Sequence, residues 1–428
     1  MEYMGAPQAA APLGNVLVVG SGGREHALAW RLSQSPRAGT VHVAPGNGGI
    51  ENCVPIRVDD AEGLAAFARE NACLTVVGPE APLAAGIADR FAAAGLPLVG
   101  PTAAAARIES SKSWSKEFML RHGIPTAGHE SFDDAGEAAA HARRLGGPVV
   151  VKADGLAAGK GVTVCGGPDE AEAEIRRMMG GGVDRVLLEE RLEGAEASFI
   201  ALCDGETAVP MAASQDHKRA GDGDTGPNTG GMGACSPAPP VDAGMARRIQ
   251  GEVIEPALAG LRAEGAPFCG FLYAGVMIGA GGRLDVLEFN ARMGDPECQA
   301  IMARADFDLL AYLEAAAAGT LGEMGPMRWD ARHAACVVLA SRGYPGRYAT
   351  GEEIAGIGED GGGSVVFHAG TRREGSRVLT SGGRVLGVTA LGGTLREAVG
   401  AAYARAGRIS WASKYCRSDI GRAGIAAT

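Results

Sequence analysis

A β-branched run ending in lysine, Val149-Val150-Val151-Lys152, enters a glycine-spaced loop that carries a second lysine, Lys160, and leaves it as Val162-Thr163-Val164-Cys165. This strand–loop–strand unit constrains the chain more than any other feature. Glycines let backbone N–H groups approach phosphate oxygens closely, and lysines add compact positive charge. The unit is not a P-loop, which needs four residues between its glycines, Ser or Thr after the lysine, and a following helix. Here three residues separate Gly155 from Gly159, Gly161 follows Lys160, and the next segment reads as a strand. The plain alternative is a Gly/Ala-rich hairpin that binds nothing.

The length of 428 residues allows two to four domains, each able to bury a core. Hydrophobic residues at 46% and charged residues at 21% fit a globular protein. Glycine, at 67 residues, is so frequent that motifs made of glycine alone carry little weight. A net charge of −10 argues against a general nucleic-acid binder, which shows a basic face. No apolar run reaches the ~18 residues needed to span a bilayer. Residues 1–14 have neither a basic start nor a long apolar stretch and read as a disordered tail rather than a signal peptide. Nine dispersed cysteines without a Cys-x-x-Cys pair fit a reducing cytoplasm and argue against a cysteine-built metal site.

Strand and helix patterns alternate along the first hundred residues: strands at Val16–Val19, Val41–Val43, Leu74–Val77 and Leu96–Val99, and helices at Glu25–Leu32, Ala61–Glu70 and Pro82–Ala94. That alternation predicts an α/β domain with a doubly wound parallel sheet, whose ligand crevice lies at the carboxyl ends of the strands. The middle is mixed. A helix near Trp114–His122 precedes the lysine unit, and strands follow at Val186–Leu188, Leu272–Ile278 and Leu284–Phe289. From about Ala334 the chain reads as β-rich, with strands at Ala335–Leu339, Ser364–His368 and Val385–Thr389. Linkers fall near residues 110 and 330, and no internal repeat is evident.

Gly20-Ser21-Gly22-Gly23-Arg24-Glu25-His26 sits where a Rossmann fingerprint would lie. Glu25 takes the third glycine position, however, and no acid ends the second strand to hold a ribose. A dinucleotide site is therefore not expected, although the helix N-terminus still offers N–H groups to a phosphate. Glu80, after Gly78-Pro79, faces the same crevice. In Leu284-Asp285-Val286-Leu287-Glu288-Phe289-Asn290 the period of two puts Glu288 and Asn290 on one face, and Arg292 extends it. Two hard oxygen donors at that spacing suit Mg²⁺, which takes one or two protein oxygens plus substrate phosphates. The dense sequel Arg292 to Glu297, with Asp295, makes poor core. A strand end with acids, Glu189-Glu190-Arg191-Leu192 and then Glu196, is fit to hold an adenine by backbone groups and a ribose by a carboxylate. Ser214 to Arg219 concentrates polar residues, and Asp224–Gly233 reads as a flexible lid. His26 and His217 read as structural as readily as functional, and no spacing supports a Ser-His-Asp or Cys-His nucleophile.

Together these blocks resemble the phosphoribosylamine–glycine ligase family of ATP-grasp enzymes, from about Asn15 to Ile420. Gly22 to Ala27, Lys152 to Gly161, Ser214 to Met232 and Arg292 to Glu297, in that order, carry the resemblance. It implies an N-terminal substrate domain (15–111), an ATP-grasp domain (112–330) with a mobile part at about 125–195, and a C-terminal β-rich domain (331–428). It also implies a purine-biosynthetic reaction: ATP phosphorylates glycine's carboxylate, and 5-phosphoribosylamine attacks the glycyl phosphate. On the matching positions, Lys112 and Lys152 contact ATP phosphates while Gly155, Gly159, Lys160 and Gly161 close over them. Glu189, Glu190 and Leu192 hold adenine, and Glu196 holds ribose. Glu288 and Asn290 bind Mg²⁺ or Mn²⁺. Asp216 and Lys218 face glycine, Gly22, Gly23, Glu80 and Asp295 hold phosphoribosylamine, and Arg292 lies near the transferred phosphate or the substrate phosphate. Lys152, Arg292 and Asp216 act on the reacting groups. Glycine and phosphoribosylamine are the expected partners of a cytoplasmic monomer or weak homo-oligomer that binds neither nucleic acid nor membrane.

One departure and two rivals sharpen the expectation. Many ATP-grasp enzymes carry another metal carboxylate on the preceding strand, and Tyr273–Ile278 has none. A carboxylase or formate-dependent transformylase of the superfamily would share the clamp but lack the Ser214–Met232 block. A non-catalytic nucleotide-binding protein would have no use for Lys152, Glu288, Asn290 and Arg292 together.

Overall fold

The computed structural model describes residues 14–157, 161–358 and 362–427. Strand β1 (Gly14–Gly20) is a continuous apolar run because it lies at the centre of a parallel sheet covered on both faces. It pairs with β2 (Ala38–Pro45) and β3 (Cys73–Val77), and β3 pairs with β4 (Leu98–Val99), giving the order β2-β1-β3-β4. The crossovers are α1 (Gly23–Leu32), α2 (Ala61–Glu70), α3 (Glu80–Ala84) and α4 (Ile87–Ala93). The single helix expected over Pro82–Ala94 is thus two. Gly86 between them adopts φ +87°, a left-handed conformation that ends one helix and starts the next.

Helices α5 (Ala103–Ser110) and α6 (Lys112–Arg121) follow, capped by the Thr102 and Ser111 hydroxyls. A small antiparallel sheet comes next, built from β5 (His129–Phe132), β6 (Val149–Ala153), β7 (Val162–Cys165) and β8 (Val186–Glu190) in the order β5-β8-β6-β7. Helices α7 (Ala135–Leu145) and α8 (Pro168–Gly180) cover one face, and Phe132, Val149, Val151, Ile175 and Leu188 form its own core. The alternation leaves Val150 and Lys152 on the opposite face, toward the cleft.

The second jaw is an antiparallel sheet. Strands β9 (Ala195–Asp204) and β10 (Ala208–Pro210) form one side. The turn-rich stretch after them holds β11 (Gln215–Asp216), β12 (Arg219–Gly221), β13 (Thr225–Asn228) and β14 (Gly233–Ser236). After α9 (Ala243–Ile249) and α10 (Glu255–Ala263), β15 (Cys269–Ile278) pairs with β9 and with β16 (Leu284–Asn290). Helices α11 (Glu297–Arg304) and α12 (Leu309–Ala318) lead to the C-terminal sheet. There β17 (His333–Ser341) pairs with β14 and with β21 (Arg384–Gly392), which pairs in turn with β18 (Ser364–His368); a hairpin of β19 (Thr371–Glu374) and β20 (Arg377–Thr380) projects, and α13 (Leu395–Ala406) packs on the face. Because β14 and β11 belong to this sheet, the C-terminal residues are joined to the Ser214–Met232 block through backbone pairing. No helix among the described residues is long and apolar enough to cross a membrane.

The expected lid does not stand free. The Ala220–Asn228 hairpin is tied down by Arg417 to Asp224 (2.8 Å), Tyr415 Oη to the Ala220 carbonyl (2.8 Å) and the Ser418 N–H to Asp222 (2.8 Å). All nine cysteines are free thiols.

Candidate active site

A cleft of about 1050 Å³ separates the two jaws and opens toward the carboxyl ends of the N-terminal parallel strands. On the lysine jaw, Lys152 is buried at the end of β6. Its Nζ lies 2.8 Å from Glu189 Oε2 and donates across the cleft to the Leu287 carbonyl of β16 at 3.0 Å. A second buried lysine, Lys116 of α6, shares the same carboxylate oxygen at 2.9 Å and donates to Thr126 Oγ1 at 2.7 Å. Burial alone would raise the Glu189 carboxyl. Lys152 and Lys116 outweigh it and hold the group below its ordinary value. Burial, helped by Lys152, pushes the Lys116 ammonium down to about 8. One oxygen of the Glu189 carboxylate is thus shared by two lysines, and Glu189, Glu190 and Leu192 all line the cleft.

The base of the glycine loop is fixed. Asp154 Oδ1 accepts from the Lys112, Ser113 and Gly155 N–H groups at 2.6, 3.2 and 2.9 Å, joining the loop to the start of α6. Lys112 Nζ donates to the Gly155 carbonyl at 2.7 Å. Gly161 lines the cleft, while Gly159 and Lys160 lie outside the described residues.

On the facing jaw, Glu288 and Asn290 line the cleft from one face of β16, opposite Gly275 and Tyr273 of β15. Burial opposes the Glu288 charge, but Lys218, Lys152 and Lys112 prevail and hold its carboxyl below the ordinary range. Asn290 Oδ1 accepts from Arg292 Nη2 at 3.0 Å. These donors fit a hard divalent cation. One carboxylate and one amide oxygen face a space ringed by lysines, so the rest of the shell has to arrive with anionic oxygens and water. Among the described residues no group of three His, Cys, Asp or Glu side chains is placed to hold a metal unaided, in keeping with the missing acid on β15.

Arg292 lies where the N-terminal domain meets this jaw. It is 2.8 Å from Glu109 and 3.3 Å from Glu80, and these two carboxylates, working against burial, raise its pKa. Arg24 donates to the Met293 carbonyl at 3.1 Å and pairs with Glu25 at 2.5 Å. Glu25 also accepts from the Gly22 N–H at 2.5 Å. That amide, which the sequence leaves open to a phosphate, is thus already satisfied by the residue in the third glycine position. A Cβ on Gly78 would lie 2.0 Å from Glu25 Oε1, so a side chain there would displace the Glu25 carboxylate. Gly22 and Gly23 do not line the cleft, although a Cβ on Gly22 would come within 3.4 Å of Asp295 Oδ2.

The floor beside Glu288 is a pocket of buried charge. Lys218 Nζ lies 3.0 Å from Glu196 and 4.0 Å from Glu288. Burial first, then Glu297, Glu196 and Glu288, raise the Asp216 carboxyl well above its usual range despite Lys218. Glu297 accepts from Ser198 Oγ at 3.1 Å, and Ser198 Oγ lies 2.9 Å from Tyr273 Oη. Asp295 accepts from Gln299 at 2.8 Å and from Arg384 of the C-terminal sheet at 2.9 Å. His26 and His217 are structural here: His26 Nδ1 accepts from the His368 N–H, and His217 Nε2 from the Gly421 N–H.

The cleft thus gathers residues the sequence singles out, and it adds Glu109, Lys116, Tyr273, Glu297 and Arg384. Glu297 belongs to a block already marked as poor core. The other four have no local signal, because each reaches the site only through the fold.

A lysine-bearing small sheet facing an acid-bearing antiparallel sheet across a nucleotide-sized cleft defines an ATP-grasp enzyme. Residues 14–109, 110–298 and 334–423 match the phosphoribosylglycinamide synthetase N domain, ATP-grasp (A) domain and C domain. The chain is 52% identical to phosphoribosylamine–glycine ligase of Vibrio cholerae, over 96% of this chain and 98% of that one. It is 53% identical to the enzyme of the same name from Allochromatium vinosum, over 96% and 99%. A crystal structure of phosphoribosylamine–glycine ligase from Thermotoga maritima superposes with a TM-score of 0.83 at 33% identity, covering 95% of this chain and 100% of that one. The biotin carboxylase domain of Hydrogenobacter thermophilus 2-oxoglutarate carboxylase shares the fold, with a TM-score of 0.70 at 18% identity over 94% and 91%. The chain belongs to the phosphoribosylglycinamide synthetase family.

Proposed function

We propose that this cleft joins glycine to 5-phosphoribosylamine at the expense of ATP, by way of glycyl phosphate. A glycine carboxylate oxygen attacks the γ-phosphorus and ADP leaves. The amine nitrogen of phosphoribosylamine then attacks the acyl carbon, phosphate leaves, and the amide of glycinamide ribonucleotide forms with loss of a proton. A carboxylate is a poor acyl donor and a mixed anhydride a good one, so the protein's task is positioning and charge neutralisation.

In this reading Lys152 and Lys112 neutralise the nucleotide phosphates, Glu190 and Leu192 border the adenine, and Glu196 takes the ribose. Glu288 and Asn290 hold Mg²⁺ or Mn²⁺, which when bound polarises the phosphoryl oxygens. Asp216 and Glu297 receive the glycine ammonium, whose charge would favour the ionised form of the Asp216 carboxyl that burial and the neighbouring acids disfavour. Arg292, Arg24, Glu80 and Asp295 surround the phosphoribosylamine side. The division into 15–111, 112–330 and 331–428 is kept, with the separately cored sheet at about 125–195 as the part that closes.

The observation that carries the reading is Lys152 of one jaw touching the backbone of β16 in the other, one residue before Glu288. An ADP-release assay with each substrate omitted tests it. Release is expected only with both glycine and freshly generated phosphoribosylamine, and bicarbonate or formate replacing glycine would sink it.

A further inference from the structure

Glu109 closes α5, on the N-terminal side of the cleft, and sits 182 residues before the strand end it touches. Its carboxylate is buried and has two partners in that strand end. Oε2 accepts from the Ala291 N–H at 2.7 Å, and Oε1 lies 2.8 Å from Arg292 Nη2. The same Nη2 donates to Asn290 Oδ1 at 3.0 Å. One carboxylate therefore fixes three consecutive residues: the backbone of Ala291, the guanidinium of Arg292, and through that guanidinium the amide of Asn290. Glu80 also faces Arg292, but at 3.3 Å through Nε and from a less enclosed position, so Glu109 is the closer and more buried partner of the guanidinium.

We infer that Glu109 is a positioning residue for the reaction: by clamping Arg292 and the intervening peptide it holds the Asn290 amide, the proposed cation ligand, in one orientation. The physical case is one of geometry. An Asn side chain rotates freely about its last torsion, and its oxygen and nitrogen are interchangeable in shape. A donor held at 3.0 Å makes the oxygen face Arg292 and pins the plane of the amide. Outer-sphere partners of this kind change metal affinity or activity by about 10–100-fold when removed. Glu109 also ties the N-terminal domain, which borders the phosphoribosylamine side, to the strand that carries the cation ligands. Arg292 is thereby held in register with both halves of the reaction.

The inference rests on the proposed roles of Asn290 and Arg292, and the experiment separates the two. Binding of Mn²⁺ in the presence of ADP is followed by electron paramagnetic resonance, which needs no turnover. Glu109→Gln retains the bond to the Ala291 N–H and loses the charge that clamps Arg292. We expect its Mn²⁺–ADP dissociation constant to rise about tenfold, with ADP affinity in the absence of metal unchanged. Glu109→Asp, which keeps the charge but withdraws it, is expected to fall between Gln and the unaltered protein. Wild-type Mn²⁺–ADP binding in Glu109→Gln would overturn the inference, as would equal weakening of metal-free ADP binding. If Glu109→Gln does not fold, the same two readings on Glu109→Asp decide. Asn290→Ala serves as the control for the underlying reading. If it binds Mn²⁺–ADP as tightly as the unaltered protein, the ligand assignment itself fails.

Discussion

Lys152 and Lys116, from different elements, converge on a single oxygen of Glu189, at 2.8 and 2.9 Å, with all three side chains buried. Two positive charges sharing one carboxylate leave a net positive charge facing the cleft, which is what a polyphosphate requires. Lys152→Met is expected to lower turnover by about 10²–10³-fold, as loss of a preorganised charge at a transferring phosphoryl group does. Lys116 still pairs Glu189, so the stability loss should stay below the roughly 3–5 kcal/mol of an unpaired buried charge. ADP release and urea unfolding measured on one preparation check both statements.

Glu288 is surrounded by lysines and holds its negative charge in spite of burial. Glu288→Gln removes the proposed cation ligand and leaves the Asp216 side chain in place. Turnover should fall about 10–100-fold and demand more Mg²⁺, while glycine binding measured by calorimetry persists. Undiminished turnover at low Mg²⁺ would contradict the assignment.

Asp216 lies among Glu297, Glu196 and Glu288 with Lys218 as its cationic neighbour. An ammonium entering there relieves like-charge repulsion and gains a charge-assisted hydrogen bond of roughly 1.5–3 kcal/mol. Asp216→Asn should therefore raise KM for glycine about 10–150-fold by that energy and leave KM for ATP near its original value. Equal rises in both constants would mean that the pocket is not glycine's.

His26 and His368 join the N-terminal and C-terminal domains, with ring centroids 5.6 Å apart and the His368 N–H donating to His26 Nδ1 at 2.9 Å. Burial pushes His26 down to about 4, and burial with the neighbouring His26 pushes His368 down to about 3. An unfolded histidine titrates near 6.5. Between pH ~6.5 and ~4 the unfolded chain thus binds protons that the folded chain refuses. The stability these groups contribute is complete above that window and is lost as pH falls through it, by about 1.4 kcal/mol per pH unit for each proton. His26→Asn keeps an acceptor but cannot titrate, so the acid slope of unfolding free energy should be roughly one proton shallower. An unchanged slope would show that the pair does not govern acid stability.

What the sequence makes legible follows the range of the physics. Val149–Lys152 declares itself by its β-branched run and Leu284–Asn290 by its period, and Lys152, Glu288 and Asn290 face the cleft because strands alternate. Ala61–Glu70 is read in full, and in the structure Asp60 caps it with Leu64, Ala65 and Ala68 on its buried face. The break at Gly86 is hidden, since one glycine in a helical pattern is ordinarily tolerated. Glu109, Lys116 and Arg384 look like surface charges locally and become site residues only when α5, α6 and β21 dock on the cleft. Glu189 is marked in the sequence for its backbone at a strand end; that its side chain pairs with Lys152 and Lys116 emerges only in the fold.

The central claim is that glycine's carboxylate is phosphorylated before the amine attacks. Glycine labelled with ¹⁸O in its carboxylate tests this directly, because a glycyl phosphate releases phosphate carrying the oxygen that had bridged carbon and phosphorus. Mass spectrometry of the inorganic phosphate from a complete reaction should find one ¹⁸O per phosphate derived from fully labelled glycine. Unlabelled phosphate, formed alongside authentic glycinamide ribonucleotide, would contradict the account.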